Sequence, residues 1–204
     1  DGWLDMYLGT GNPDLKSLVP NRLFKNIGGQ KFADVTYSSR TGNLQKGHGV
    51  SFADIDNDGD LDIFQEVGGA VKGDAYFNSL YINSGQDDNN FIGLLLEGVA
   101  SNRSAIGARI SVSFIDSGVS RTVFQNVNSG GSFGASPLRQ EIGIGKAKMV
   151  DQITIKWPNT KNLTVLKNLE RNVFIKITEG KNTVERINLQ PLKFKITHTT
   201  MDNM

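Results

Sequence analysis

Asp54-Ile55-Asp56-Asn57-Asp58-Gly59-Asp60-Leu61-Asp62 places an acid at every second position of a short stretch, with a single glycine at its sixth. Carboxylates this close together repel one another strongly unless something compensates them. Calcium does so: it is a hard cation that takes roughly six to eight oxygen ligands at about 2.3–2.6 Å in a tolerant geometry. Alternate spacing aims successive side chains at one point, and a glycine at Gly59 permits the sharp turn between them. The expected ligands are the side chains of Asp54, Asp56, Asp58 and Asp62, with Asp60 giving its backbone carbonyl and water completing the shell. An EF-hand opens in the same way, but it needs a bidentate Glu at its twelfth position and helices on both sides. Here that position is Gln65. The loop is entered through Gly49–Ala53 and left through Leu61–Phe64, both strand-like, so the pattern reads as strand-loop-strand. The bland alternative is a solvated acidic turn without metal.

Working outward, the same motif occurs in part at the start of the chain. Asp1-Gly2-x-Leu4-Asp5 falls on Asp58-Gly59-x-Leu61-Asp62 at an offset of 57 residues. At the same offset Asn21-x-Leu23-Phe24-x-Asn26-x-Gly28 falls on Asn78-x-Leu80-Tyr81-x-Asn83-x-Gly85 without a gap. Two separate blocks agreeing at one offset mark an internal repeat, the signature of propellers, solenoids and arrays. Asp1 and Asp5 are expected to belong to a second such loop whose first half lies upstream of this sequence. Within each unit the apolar residues come in short runs, Met6–Leu8, Arg22–Phe24, Lys31–Phe32, Val50–Phe52, Leu61–Phe64 and Ser79–Ile82, punctuated by Gly, Asn, Asp and Ser. These are strand lengths with turn residues between them. Four-stranded blades made of such pieces must stack on neighbours to bury both faces.

From about residue 93 the repeat stops. Ile92–Leu96, Ala108–Ile115, Arg121–Val127, Gln152–Trp157 and Val173–Thr178 show alternation or short buried runs separated by polar connectors, as in a small β-sandwich or barrel-like domain. The expected fold class is therefore all-β, with partial propeller blades over residues 1–92, a β-sandwich-like domain over 93–180, and a polar tail over 181–204 that frays at Thr199–Met204.

Composition limits the chemistry. Lys and Arg number 22 against 21 Asp and Glu, a net charge of +1, so no global field points toward nucleic acid or an anionic membrane. There is no cysteine, which excludes disulfides, thiolate metal sites and a cysteine nucleophile. No apolar run is long enough to cross a bilayer as a helix, and residues 1–5 carry no signal-peptide pattern.

The acidic loop resembles the calcium loop of FG-GAP and VCBS repeats, as in the integrin alpha propeller, and the Asn-x-Leu-aromatic-x-Asn-x-Gly block is typical of bacterial relatives. Downstream, Asn102–Ile110, Gly131–Ser136, Ile142-Gly143-Ile144-Gly145 and Ile155-Lys156-Trp157-Pro158 resemble the ASPIC/UnbV domain, which commonly follows VCBS repeats in cartilage-acidic-protein-like chains. The resemblance implies a secreted or surface-displayed protein, with a signal in its precursor and a seven-bladed propeller ahead of this module. It transfers no catalytic residue.

Other candidates weigh less. Ser129-Gly130-Gly131-Ser132-Phe133-Gly134 and Gly143-Ile144-Gly145-Lys146 lack the Lys-Ser/Thr ending of a P-loop and read as turns or bulges. His48 and His198 stand far apart with no Gly-x-Ser-x-Gly elbow, and His48, between two glycines, reads as a turn or packing residue. Arg103, Arg109, Arg121 and Arg139 lack the interleaved aromatics of a nucleic-acid platform and read as solvated charges. The two Asn-x-Ser/Thr sequons at Asn102 and Asn162 read as chance matches. The expected function is a calcium-binding, extracytoplasmic module that meets a protein or glycan ligand and is not an enzyme. The alternative is an enzyme or biosynthetic accessory protein.

Overall fold

The computed structural model describes residues 1–194, except 11–13, 15, 17–18, 70–71, 74–75, 84, 86–87, 129 and 132. His198, the fraying end, and Ser129 and Ser132 of the glycine-rich run lie outside the described residues. Every regular element described is a strand, so the chain is all-β, in several small sheets with no closed barrel.

The first sheet joins β1 (Met6–Leu8), β2 (Arg22–Ile27) and β3 (Lys31–Asp34), and the second joins β4 (Gly47–Ala53), β5 (Asp62–Val67) and β6 (Ser79–Tyr81), both antiparallel in chain order. The repeat has a structural meaning. Asn21 Oδ1 accepts from Thr10 N at 2.7 Å and Asn78 Oδ1 from Val67 N at 3.1 Å, the same bond displaced by one repeat. Likewise Asn26 N donates to Asp5 Oδ1 at 2.7 Å and Asn83 N to Asp62 Oδ1 at 2.9 Å. The motif asparagines thus tie each strand to the turn or acidic loop of its own unit, which is why they recur at fixed positions.

Each blade has three strands among the described residues, where four were expected. The repeat position of β3 falls on residues 88–91, and there the chain enters β7 (Asn90–Glu97), which pairs in a different sheet. The blades stack through Tyr7, whose hydroxyl lies 3.0 Å from Gln65 Oε1 and whose ring centroid is 6.4 Å from that of Tyr81. Tyr7 and Gln65 are both buried. The opposite face of the first blade leaves Met6, Leu8 and Phe32 exposed, and the far face of the second leaves Phe64 and Leu80 exposed.

The second module is a sandwich of two four-stranded sheets. One has the order β10 (Gln140–Gly145), β7, β13 (Phe174–Thr178), β14 (Val184–Ile187); the other has β12 (Leu163–Glu170), β11 (Met149–Lys156), β8 (Arg109–Asp116), β9 (Val119–Asn126). Pairing is antiparallel except between β13 and β7, which run parallel. Alternate residues of both sheets meet in a core that includes Ile92, Leu94, Ile110, Val112, Phe114, Ile142, Ile144, Ile153, Ile155 and Ile177. These branched and aromatic side chains suit pleated, half-buried surfaces, and burying one contributes about 1.5–3 kcal/mol. Trp157 is buried at the end of β11 with its indole N–H donating to Thr164 Oγ1 at 2.9 Å. The sandwich begins at Asn90, and the polar tail contributes its edge strand β14.

Candidate metal centre

The acidic loop runs from the end of β4 to the start of β5, as the sequence implies. Its turn is built by the acids themselves. Asp54 Oδ1 accepts from Asp58 N at 3.0 Å and Oδ2 from Gly59 N at 3.2 Å, while Asp58 Oδ1 accepts from Asp60 N at 3.1 Å. Gly59 has φ +100°, outside the range comfortable for a residue with a Cβ. Asn57 has φ +60°, a conformation Asn tolerates better than most residues.

The loop brings together Asp54, Asp56 and Asp58, each offering one carboxylate oxygen within 4.8 Å of the others. Asp60 and Asp62 stand outside that group. Asp62 is fully buried, and its oxygens accept from Ile55 N at 2.9 Å and Asn83 N at 2.9 Å. Asp60 has both carboxylate oxygens shielded from water with no hydrogen-bond partner, and Asp56 Oδ1 is in the same condition. A Cβ on Gly85, the last residue of the repeated block, would lie 3.0 Å from Asp60 Oδ2, so that glycine makes room for the carboxylate.

Unpartnered oxygens of this kind are costly as anions, and the carboxyls respond. Burial raises Asp54 to about 6, partly offset by Arg139 and reinforced by Glu141. Burial, then Asp58 and Asp62, raise Asp60 to about 7. The same causes, in the same order, raise Asp56. A divalent cation would reverse these shifts by supplying the missing partner charge. The donor set, all hard oxygens from several acids in a tight turn, fits calcium.

Arg139, expected to be a solvated charge, is instead part of this site. It stands just before β10, donates from Nη2 to Asp54 O at 3.1 Å and lies 3.6 Å from Asp54 Oδ2. Its Nε contacts Glu141 Oε1, and its guanidinium sits 4.7 Å over the Phe174 ring. Arg121 is likewise held, by Asp116 at 2.6 Å and over Trp3 at 4.2 Å, joining the sandwich to residues 1–3. Arg103 pairs with Glu97. Arg139, Arg121 and Arg103 are thus each tied to a different acid, while Arg109 at the start of β8 is exposed. His48 projects exposed from an irregular part of β4, not into packing. No spacing rule could have joined Arg139 to Asp54, since the contact spans two modules.

No helix among the described residues is long and apolar enough to cross a membrane. No curated protein is significantly similar to the chain. Two families do match, and in the order that the repeat and the sandwich suggest. Residues 1–64 match the model of the FG-GAP-like repeat family, and residues 98–184 match that of the ASPIC and UnbV family.

Proposed function

We propose that this chain is a calcium-stabilised, extracytoplasmic binding module, with the ion held by the loop from Asp54 to Asp62. The observation that carries the reading is the set of water-shielded, unpartnered oxygens on Asp56 and Asp60 beside the converging carboxylates of Asp54, Asp56 and Asp58. Asp54, Asp56 and Asp58 would give side-chain oxygens. Asp60 has a side chain as well as a carbonyl to offer, and Asp62 would hold the loop's entry and exit together. Calcium supplies the counter-charge that lets the acids ionise together, which rigidifies the turn between β4 and β5. Affinity is expected at about 10⁻⁴ to 10⁻³ M, the range of extracellular modules.

The FG-GAP-like repeat supports an exported, repeat-type role. The open apolar faces bearing Met6, Leu8 and Phe32 on one blade, and Phe64 and Leu80 on the other, are of the kind that neighbouring blades cover. Loops at the rims of propeller and sandwich would then meet a protein or glycan. The role is read as non-enzymatic, because the densest acids of the chain are gathered in the cation loop.

The test is calorimetric titration of calcium into the chain and into Asp58→Ala, with melting followed in parallel. One site in the parent protein, lost in the variant, and a calcium-dependent rise in melting temperature are expected. A folded protein, checked by circular dichroism, that binds no calcium at millimolar concentration would overturn the proposal.

A further inference from the structure

The cation loop is held by its own blade at Asp62 and Asp60 and is also covered by the second module. Three segments distant in sequence reach it. Arg139 donates to the backbone carbonyl of Asp54 and lies 3.5 Å from Asn57 Oδ1. Phe91, in β7, covers the turn so closely that a Cβ on Gly59 would fall 2.0 Å from its Cε1 atom, and Phe91 in turn rests on Phe174 at 5.1 Å between centroids. The segment after β14 crosses the loop: Leu192 N donates to Asp56 O at 2.7 Å, and Asn57 Nδ2 donates to Gln190 O at 3.2 Å. Two of these partners, Asp54 and Asp56, are acids of the converging group, and Asn57 directly follows Asp56 in sequence.

We propose that the cation site is built jointly by the two modules, with Arg139 and the strap at residues 188–194 acting as positioning elements for Asp54, Asp56 and Asn57. This rests on the calcium reading given above. The Glu141 carboxylate offsets the charge of Arg139, so the arginine orients Asp54 through its donor bonds more than it competes with a cation. The backbone bond from Leu192 fixes the peptide that carries Asp56, and Asn57 anchors both the strap and Arg139. Groups outside the ligand set that hold ligands in place commonly change metal affinity about 10- to 100-fold. Because binding free energies are reciprocal, a strap that strengthens cation binding must be held more tightly when the cation is bound, by the same factor.

The experiment uses the full chain and calcium alone as probe. Leu192→Pro deletes the donor to Asp56 O at the periphery of the fold. Asn57→Gly deletes both side-chain contacts while tolerating the φ of +60°. Calcium affinity is measured by calorimetry, and hydrogen exchange of residues 188–194 is followed with and without calcium. Each variant is expected to bind calcium about three- to tenfold more weakly, the equivalent of about one hydrogen bond. In the parent protein, calcium should slow exchange in the strap by a similar factor. If the parent protein binds calcium but both variants match its affinity within about twofold, or the strap exchanges at the same rate with and without calcium, the joint site is refuted while the calcium reading stands. A parent protein that shows no calcium isotherm would refute both.

Discussion

Gly59→Ala tests the packing around the cation loop most directly, because two separate penalties act at one atom. The residue sits at φ +100°, and holding an L-residue at positive φ costs about 1–2 kcal/mol. The new Cβ would also lie 2.0, 2.5 and 2.7 Å from three carbons of the Phe91 ring. The ring is rigid and is backed by Phe174, over which Arg139 is stacked, so it cannot swing aside alone. Overpacking of that kind costs about 1–3 kcal/mol. The total is about 2–5 kcal/mol, or a fall of about 5–15 °C in the melting midpoint for a chain of this size. The two contributions separate in a double-mutant cycle with Phe91→Ala, measured by urea unfolding in chelator. In the Phe91→Ala background only the backbone strain remains, so Gly59→Ala should cost about 1–2 kcal/mol there. If Gly59→Ala costs the same in both backgrounds, Phe91 does not press on the turn and does not help to enclose the loop. If it costs less than about 1 kcal/mol alone, the positive-φ turn itself is wrong.

Two further predictions concern pH. Glu179, buried at the end of β13, accepts at Oε2 from the N–H groups of Val99, Ala100 and Ser101 at 2.8–2.9 Å, and at Oε1 from Asn162 at 2.8 Å. Burial alone would raise its carboxyl, but the donors of Ser101 and Val99, then Asn162, outweigh it and hold it at about 2. A carboxyl lower in the folded than in the unfolded chain contributes stability that is present above about 4.5 and is lost as pH falls toward 2. Glu179→Gln should therefore lose about 1–3 kcal/mol at pH 7 and converge on the parent protein near pH 2, as read from unfolding midpoints across that range; parallel curves would contradict this. Asp60 has the opposite sign. Raised to about 7 without metal, it contributes stability that is complete below about pH 4 and is lost as pH rises through 7. In chelator at pH 8, Asp60→Asn should be more stable than the parent by about 1–2 kcal/mol after discounting for solvent screening, while binding calcium more weakly. A variant less stable than the parent under those conditions would show that Asp60 is not strained in the metal-free loop.

What could be read from the sequence follows from the range over which each interaction acts. The repeat was legible because its contacts are local and recur: Asn26 and Asn83 each tie back to the last acid of their own loop, and no alternative residue supplies that acceptor at the same offset. The loop itself was legible because one turn carries all its acids. Strands β8, β9, β11 and β13 announced themselves by alternation, which one buried face enforces. The three missed strands each break that rule for a visible reason. In β10, Gly143 and Gly145 interrupt the apolar run, and Gly145 takes φ +59° at a register shift against β7. In β12, Asn168 at φ +54° interrupts the ladder with β11 between Lys167 and Leu169, and the buried alternation of Thr164 and Leu166 does not continue through it. In β14, Val184–Ile187 is nearly all exposed, so only its pairing with β13 makes it a strand.

The site divides in the same way. The ligand acids were legible, but Arg139, Phe91 and Leu192 were not, because each meets the loop only after the sandwich has folded and docked. A lone arginine in sequence carries no mark that distinguishes a solvated charge from one held under a carbonyl 85 residues away. That difference also orders the energetics. The acids create a local repulsion that a cation can relieve, whereas the second module supplies an arginine already paired with Glu141, a backbone donor and an aromatic cover that exclude water from the same turn. Excluding water raises the cost of leaving the acids uncompensated and, by the same physics, strengthens their attraction to a cation once it is bound. An isolated acidic turn would therefore bind calcium more weakly than the same turn beneath Phe91 and the strap, and the module that lies outside the repeat would decide how well the repeat holds its ion.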